Sequence, residues 1–325
     1  MREPVDAIVF GSAGAIKSTQ LCREAVDLAE RLDGFRVVAI CDASPQANRN
    51  RRWEAAKHLG RFLSAHLTGV GETAFWVPEM ASDIRAIARR GGIRYITPPE
   101  RDINHPDFVR FLAQELKPGL ALSLGSGQIF GADLLGVFDA AINCHYGLLP
   151  DRRGWKTTAW SLYEGSPLSG FTYHYMTTGV DEGPVLVTGE IPTARHPLKR
   201  LHYETGKLAA AALGNVVEKA RRGDPGAPQM GPGVYHTQRD YERIVTIADP
   251  GALAWSEIEH RLRSFGEIRL PVGGRMCSVT RVRRTGAERI DGSQLETADG
   301  VRFAATEVHG FPIWAHRLRR ALARD

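Results

Sequence analysis

The stretch DAIVFGSAGAIKSTQLCREAVDLAERL (Asp6 to Leu32), followed two residues later by FRVVAICD (Phe35 to Asp42), decides the fold class. DAIVFG is an apolar, β-branched run closed by the Gly-rich turn SAGA. A helical pattern through Leu21, Ala25, Leu28 and Leu32 comes next. FRVVAICD reads as a second buried strand. The alternation continues along the chain, with a helix over Ala81 to Arg90, a strand at IRYIT (Ile93 to Thr97), a helix over Phe108 to Leu116 and a strand at GLALSLG (Gly119 to Gly125). Short strands at Ala140 to Cys144 and Phe171 to Met176 and a long helix from about His202 to Arg221 complete it. Strands alternating with helices predict an α/β fold: a Rossmann-like, mostly parallel sheet wrapped on both faces.

RGDPGAPQMGPG (Arg222 to Gly233) is rich in Pro and Gly, which cannot continue a helix, and reads as a linker. The expected organisation is therefore a catalytic domain over residues 1–222, a linker over 223–235, and a smaller β-rich C-terminal domain over 236–325. That last part opens with a helix around Ser256 to Phe265. It continues with alternating runs MCSVTRV (Met276 to Val282), SQLETA (Ser293 to Ala298) and VRFAATEV (Val301 to Val308), as in a small barrel or sheet.

The chain has 325 residues, 43% of them hydrophobic, and a net charge of +5. The positive excess is spread over both sides of residue 222, so there is no concentrated basic field and nucleic acid is not the expected partner. Arginine groups such as Arg49, Arg51, Arg52 or Arg317, Arg319, Arg320 read as solvated helix faces. Cys22, Cys41, Cys144 and Cys277 are far apart and form no C-x-x-C pair, so neither a metal site nor a disulfide framework is written. With no apolar leader and no stretch near the ~20 apolar residues of a bilayer span, the expected location is the cytoplasm.

The chemistry lies in two blocks, AAINCHYGLLPDRRG (Ala140 to Gly154) and FTYHYMTTGVDEGPVL (Phe171 to Leu186). A polar residue at a strand end usually caps a turn, and a lone histidine is usually structural. Here Asn143 and His145 end a strand at the carboxyl edge of a parallel sheet, where ligands gather. Leu148, Leu149 and Pro150 then turn the chain sharply. In the second block a Gly/Pro-bounded loop presents Asp181. An amide donor, an imidazole and a carboxylate are the groups that a tetrahedral acyl intermediate needs.

On these residues the chain resembles the folate-dependent formyltransferases, which include glycinamide ribonucleotide transformylase, methionyl-tRNA formyltransferase and amino-sugar N-formyltransferases. The family's Asn-x-His-x-x-Leu-Leu-Pro motif matches Asn143, His145, Leu148, Leu149 and Pro150. Its Asp-x-Gly-Pro loop matches Asp181, Gly183 and Pro184. The resemblance implies Asn143, His145 and Asp181 as catalytic residues and N10-formyltetrahydrofolate as co-substrate. Ser126 to Phe130 is similar to the family's pterin-holding loop, which implies Gly127, Gln128, Ile129 and Phe130 as folate-binding, with Thr177 and Gly179 bordering the same pocket.

Gly147 stands where the family commonly has Ser. WKTTAWSLYEG (Trp155 to Gly165) departs from the sequence usual in tRNA-formylating members, and their early Gly-Arg-Gly loop is absent. The resemblance therefore implies formyl transfer to the primary amine of a small molecule (an amino sugar, amino acid or biosynthetic intermediate). Methionyl-tRNA formylation stands as the alternative, ahead of formyltetrahydrofolate hydrolysis and non-catalytic folate binding. The last domain either recognises substrate or makes a homodimer.

A rival reading starts from Gly11 to Gly14 and Asp42, which suggest a dinucleotide site but lack the full G-x-G-x-x-G. Arg152 and Arg153 flank the motif turn as candidate anion contacts, and Trp155 and Trp160 read as packing residues.

Overall fold

In a computed structural model of the protein, residues 4–44, 83–194, 196–285, 294–308 and 311–312 are described. The arginine groups at 49–52 and 317–320 and the expected helix start at Ala81 lie outside them.

The chain forms two compact units, one reaching to His236 and the other from Thr237 onward together with Leu162–Gly165. In the first, β1 (Val5–Gly11), α1 (Ile16–Arg31), β2 (Phe35–Asp42), α2 (Ile84–Arg90) and β3 (Arg94–Ile96) build one half of a sheet. The other half comprises α3 (Pro106–Phe111), β4 (Leu120–Ser123), α4 (Ala132–Leu135), β5 (Ala140–His145), α5 (Thr157–Tyr163), β7 (Leu168–Tyr175), β8 (Val185–Pro192) and α6 (Leu198–Arg221), while the two-residue strands β6 (Arg153–Gly154) and β9 (Tyr235–His236) form a small sheet of their own.

The seven-stranded sheet runs β3-β2-β1-β4-β5-β7-β8. Its first five strands are parallel and β7 and β8 run antiparallel to their neighbours. The mostly parallel α/β architecture expected from the sequence is thus present. Ala7 to Phe10 are buried on both sides, as a central parallel strand requires. One apolar cluster on the sheet takes Leu21, Ala25 and Leu28 of α1 and Ala209, Leu213 and Val217 of α6; the other takes Phe108 of α3 and Leu134 of α4.

The carboxyl ends of β1 and β4 are tied together. Ser12 Oγ and Ser18 Oγ both donate to Gly125 O, at 2.9 and 3.1 Å, and Leu124 N–H donates to Phe10 O. Asp42 Oδ1 accepts from Ser44 Oγ at 2.5 Å and from Ala13 N–H, and its Oδ2 accepts from Tyr95 OH. The groups that suggested a dinucleotide site are engaged with each other.

Segment 223–235, expected as a linker, lies along the first unit. Ala227 bridges Val185, and β9 pairs in parallel with β6.

In the second unit α7 (Gln238–Val245) starts on a capping box formed by Thr237 and Asp240, and α8 (Trp255–Phe265) follows. The strands β10 (Ile268–Val272), β11 (Arg275–Arg284), β12 (Gln294–Glu296), β13 (Arg302–Val308) and β14 (Phe311–Pro312) form an antiparallel sheet ordered β10-β11-β13-β12, with β14 beside β13. Ile258 of α8 packs with Leu270, Val279 and Phe303 of the sheet, so the unit has its own core. The β-rich character expected of the C-terminal part is there. No helix among the described residues is long and apolar enough to cross a membrane.

Candidate active site

β5 alternates its faces, so Ile142, Cys144 and Tyr146 join the core cluster under α1 and α6 while Asn143 and His145 stand on the opposite side. The antiparallel register sets Asn143 against His174 and His145 against Thr172. Asn143, His145 and His174 are therefore brought together by strand pairing.

The turn after β5 is held by Thr172, whose Oγ1 donates to Gly147 O at 2.7 Å and accepts from Leu149 N–H at 3.2 Å. Arg152 N–H closes it onto Leu148 O, and His145 Nε2 lies 2.7 Å from Arg152 O. A carbonyl only accepts, so Nε2 carries the proton there. A Cβ on Gly147 would stand 2.6 Å from His145 Nε2 and 2.7 Å from Arg152 O. A side chain here would have to displace the His145 ring or the Arg152 carbonyl.

Asp181 comes from the loop between β7 and β8 and has φ 56°, a left-handed backbone that Asp and Asn tolerate better than most residues. Its Oδ1 is 3.4 Å from His145 Nδ1, 3.5 Å from His174 Nε2 and 3.5 Å from Asn143 Nδ2; its Oδ2 accepts from Gly154 N–H at 2.9 Å. Asn143 and His145 thus converge on the carboxylate of Asp181, the third residue singled out from the sequence. His174 Nδ1 is 2.8 Å from Tyr175 O and so donates to it, which leaves Nε2 to accept from Asn143 Nδ2 at 3.2 Å.

Asp181 is buried, which by itself raises its pKa. The charge of His145, the neighbouring His174 ring and the Gly154 N–H outweigh that and hold the carboxyl well below the usual range. His145 is pushed down to about 4, first by burial and then by the neighbouring His174 and Lys17, against the opposing pull of Asp181 and Arg152 O. At neutral pH the resting pair is accordingly an ionised Asp181 beside a neutral His145. The mechanism read from the sequence began with a protonated His145; here the imidazole gains its charge only when it takes up a proton.

Several contributors escaped the sequence reading. Gln229, from the expected linker, donates from Nε2 to Asp181 O at 2.9 Å and to Gly183 O at 2.8 Å, and its Oε1 accepts from Arg153 at 2.9 Å. Arg153 also lies 3.6 Å from Glu182. The only signal for Gln229 was an isolated amide in a Pro/Gly tract. Gly183, already part of the Asp-x-Gly-Pro match, is required by packing, since a Cβ there would meet Tyr175 O at 1.9 Å. Gly183→Ala is expected to destabilise the protein by about 1–3 kcal/mol through overpacking against backbone, read as a lowered urea midpoint with loss of turnover.

The residues implied for folate lie at two places. Gly127 N–H donates to Ala43 O, and the Gln128 amide is taken up by Ser44 O, Arg101 O and Ile103 N–H. Ile129 is 68% exposed, whereas the Phe130 ring is buried against Phe10, leaving only its backbone for a ligand. Thr177 Oγ1 donates to Gly179 O at 3.2 Å in the loop that precedes Asp181. Trp160 is buried and stacks on His236 at 3.9 Å, as a packing residue should. Trp155 is not one, being 45% exposed.

Residues 97–210 match the family model described as formyl transferase. The matched stretch contains Asn143, His145 and Asp181. It is 29% identical over 142 residues to the methionyl-tRNA formyltransferase of Trichlorobacter lovleyi, covering 43% of this chain and 44% of that one. Over 120 residues it is 30% identical to the GDP-perosamine N-formyltransferase of Brucella melitensis, covering 37% and 44%. The matched stretch thus spans less than half the length of these curated relatives. The fold recurs in HypX from Aquifex aeolicus, solved in complex with tetrahydrofolic acid, with a TM-score of 0.59 at 13% identity over 94% of this chain and 44% of that one.

Proposed function

We propose that this protein transfers the formyl group of N10-formyltetrahydrofolate to a primary amine of a small-molecule acceptor. The observation that carries the reading is the convergence of Asn143 and His145 within 3.5 Å of the Asp181 carboxylate, inside the stretch that matches the formyl transferase family model. The amine nitrogen adds to the formyl carbon, and negative charge develops on its oxygen. The Asn143 amide, partly buried at the strand end, is the donor placed to meet that charge. The nitrogen must lose a proton as the new C–N bond completes. His145, neutral with its proton on Nε2, takes it at Nδ1, the nitrogen that faces ionised Asp181, directly or through water. The bond from the formyl carbon to N10 then breaks, and the proton passes to N10, releasing tetrahydrofolate.

Incubation with N10-formyltetrahydrofolate and a panel of amines tests this. Tetrahydrofolate released only when an amine is present supports transfer; release without an amine means hydrolysis, and binding without release means a folate-binding protein. Asn143→Ala is expected to lower kcat by about 10²–10³, the effect of losing one preplaced donor.

Methionyl-tRNA formylation is the second reading, favoured by the 29% identity to an enzyme of that name. Charged initiator tRNA belongs in the same panel, and formylation of it in preference to small amines would make it the function.

A further inference from the structure

Within the site, little holds the Asp181 carboxylate against His145. His145 gives its Nε2 proton to Arg152 O and His174 gives its Nδ1 proton to Tyr175 O, so the nitrogens that face Asp181 Oδ1 at 3.4 and 3.5 Å both carry lone pairs. Neither imidazole donates to the carboxylate in the resting state. The Asn143 amide is 3.5 Å away, long for a hydrogen bond, which leaves the Gly154 N–H, at 2.9 Å, as the close donor. Asp181 also has a left-handed backbone, φ 56°, a conformation that a residue other than glycine keeps only where its surroundings hold it. The hold must come from outside the three residues.

It comes from the segment after α6, which meets in turn each part of the chain that sets Asp181. Tyr175 OH, at the end of β7, donates to Asp224 O at 2.6 Å, and Ala227 exchanges two backbone hydrogen bonds of 2.7 Å with Val185, at the start of β8. Further along, Arg153 N–H donates to Val234 O and Trp155 N–H to His236 O, on either side of Gly154. Gln229 comes between these two seams. The orientation of its amide is forced, because the carbonyls of Asp181 and Gly183 only accept and the Arg153 guanidinium only donates. One side chain thus joins the backbone that carries the carboxylate to the residue just before the N–H that meets its Oδ2.

We propose that Gln229 is a positioning residue for the acyl chemistry: it clamps the turn from Asp181 to Gly183 onto Arg153 and Gly154, so that Asp181 Oδ1 stays within reach of His145 Nδ1. This rests on the formyl-transfer reading and adds to it a residue outside the stretch 97–210 that matches the family model. A displacement of about 1 Å in a reacting group can cost about a hundredfold in rate, so a clamp on the carboxylate bears directly on turnover.

Two measurements on the full chain separate the clamp from the reading beneath it. Gln229→Met keeps the length of the side chain and removes all three hydrogen bonds, and Gln229→Ala is the second variant should methionine not pack. Circular dichroism and a urea midpoint establish that each is folded. In the first measurement, with N10-formyltetrahydrofolate and an amine that is turned over, Gln229→Met is expected to lower kcat by about 10–10²-fold. A residue that acts through Asp181 loses its effect once the carboxylate is gone, so in an Asp181→Asn background the same change should cost less than about twofold further.

The second measurement needs no turnover. Side-chain NMR of isotope-labelled histidine at neutral pH reports the surroundings of His145, whose signal is the one missing from His145→Gln. Gln229→Met is expected to move that signal in the direction in which Asp181→Asn moves it, and to add nothing to the shift in the double variant. That result supports the clamp even if no amine is formylated, in which case formyl transfer falls and the positioning of Asp181 stands. An unmoved His145 signal, an undiminished kcat, or a loss of kcat that adds in full to that of Asp181→Asn overturns the proposal and leaves formyl transfer standing.

Discussion

Asp181→Asn is expected to lower the kcat/KM of formyl transfer by about 10²–10⁴ while leaving the chain folded. Asparagine is the informative replacement because position 181 has φ 56°, a conformation Asn adopts readily and Ala does not. Its side-chain oxygen can still accept the Gly154 N–H, and the Asp181 carbonyl contact to Gln229 is backbone and persists. What disappears is the negative charge 3.4 Å from His145 Nδ1. Burial already holds that imidazole down to about 4, and without the carboxylate its charged form becomes costlier still. A histidine that cannot accept the amine's proton cannot complete the transfer. Single-turnover release of tetrahydrofolate, with circular dichroism to establish folding, decides the matter. A variant keeping more than about a tenth of parental turnover would remove Asp181 from the chemistry.

The parts legible in the sequence are those fixed by local pattern. Parallel strands buried on both faces, such as β1 and β4, read as continuous apolar runs, and the motif residues at the end of β5 stood out because a Gly/Pro-bounded acid followed them at a distance the family shares. The sequence places Phe171 at the start of β7, but the strand begins at Leu168. The three added residues include Gly170, whose Cβ position lies 1.9 Å from Gly189 O, so this strand extension depends on a cross-strand fit that one strand alone does not encode.

The same holds for the site. His174 joins Asn143 only through the β5–β7 register, and Gln229 reaches Asp181 because a Pro/Gly segment, unable to form a helix, lies extended beside β6. Lys17 was hidden for a different reason: it sits in a helix whose periodicity marks it as surface, and its long side chain crosses to β5 only once α1 is packed.

Acidification should destabilise the protein steeply between about pH 6.5 and 4. His145 and His202 are each held down to about 4 in the folded chain, against a value near 6.5 when unfolded. In that window the unfolded state binds the protons and the folded state does not, so stability rises with pH and is lost as pH falls. Each histidine contributes at most about 1.4 kcal/mol per pH unit and about 3 kcal/mol across the window.

Asp181 does not offset this. Its pKa is depressed, so its contribution is present above the unfolded carboxylate range and is lost only as pH falls through its lower folded value, beneath the window. His145 faces Asp181, His174 and Lys17, whereas His202 faces Lys156, Lys17 and the Tyr146 ring, so the second lacks the opposing carboxylate. His202→Asn should therefore give the cleaner result. Urea midpoints measured from pH 7 to pH 4.5 should fall less steeply in that variant than in the parent, and superimposable pH profiles would mean that His202 titrates freely in the folded chain.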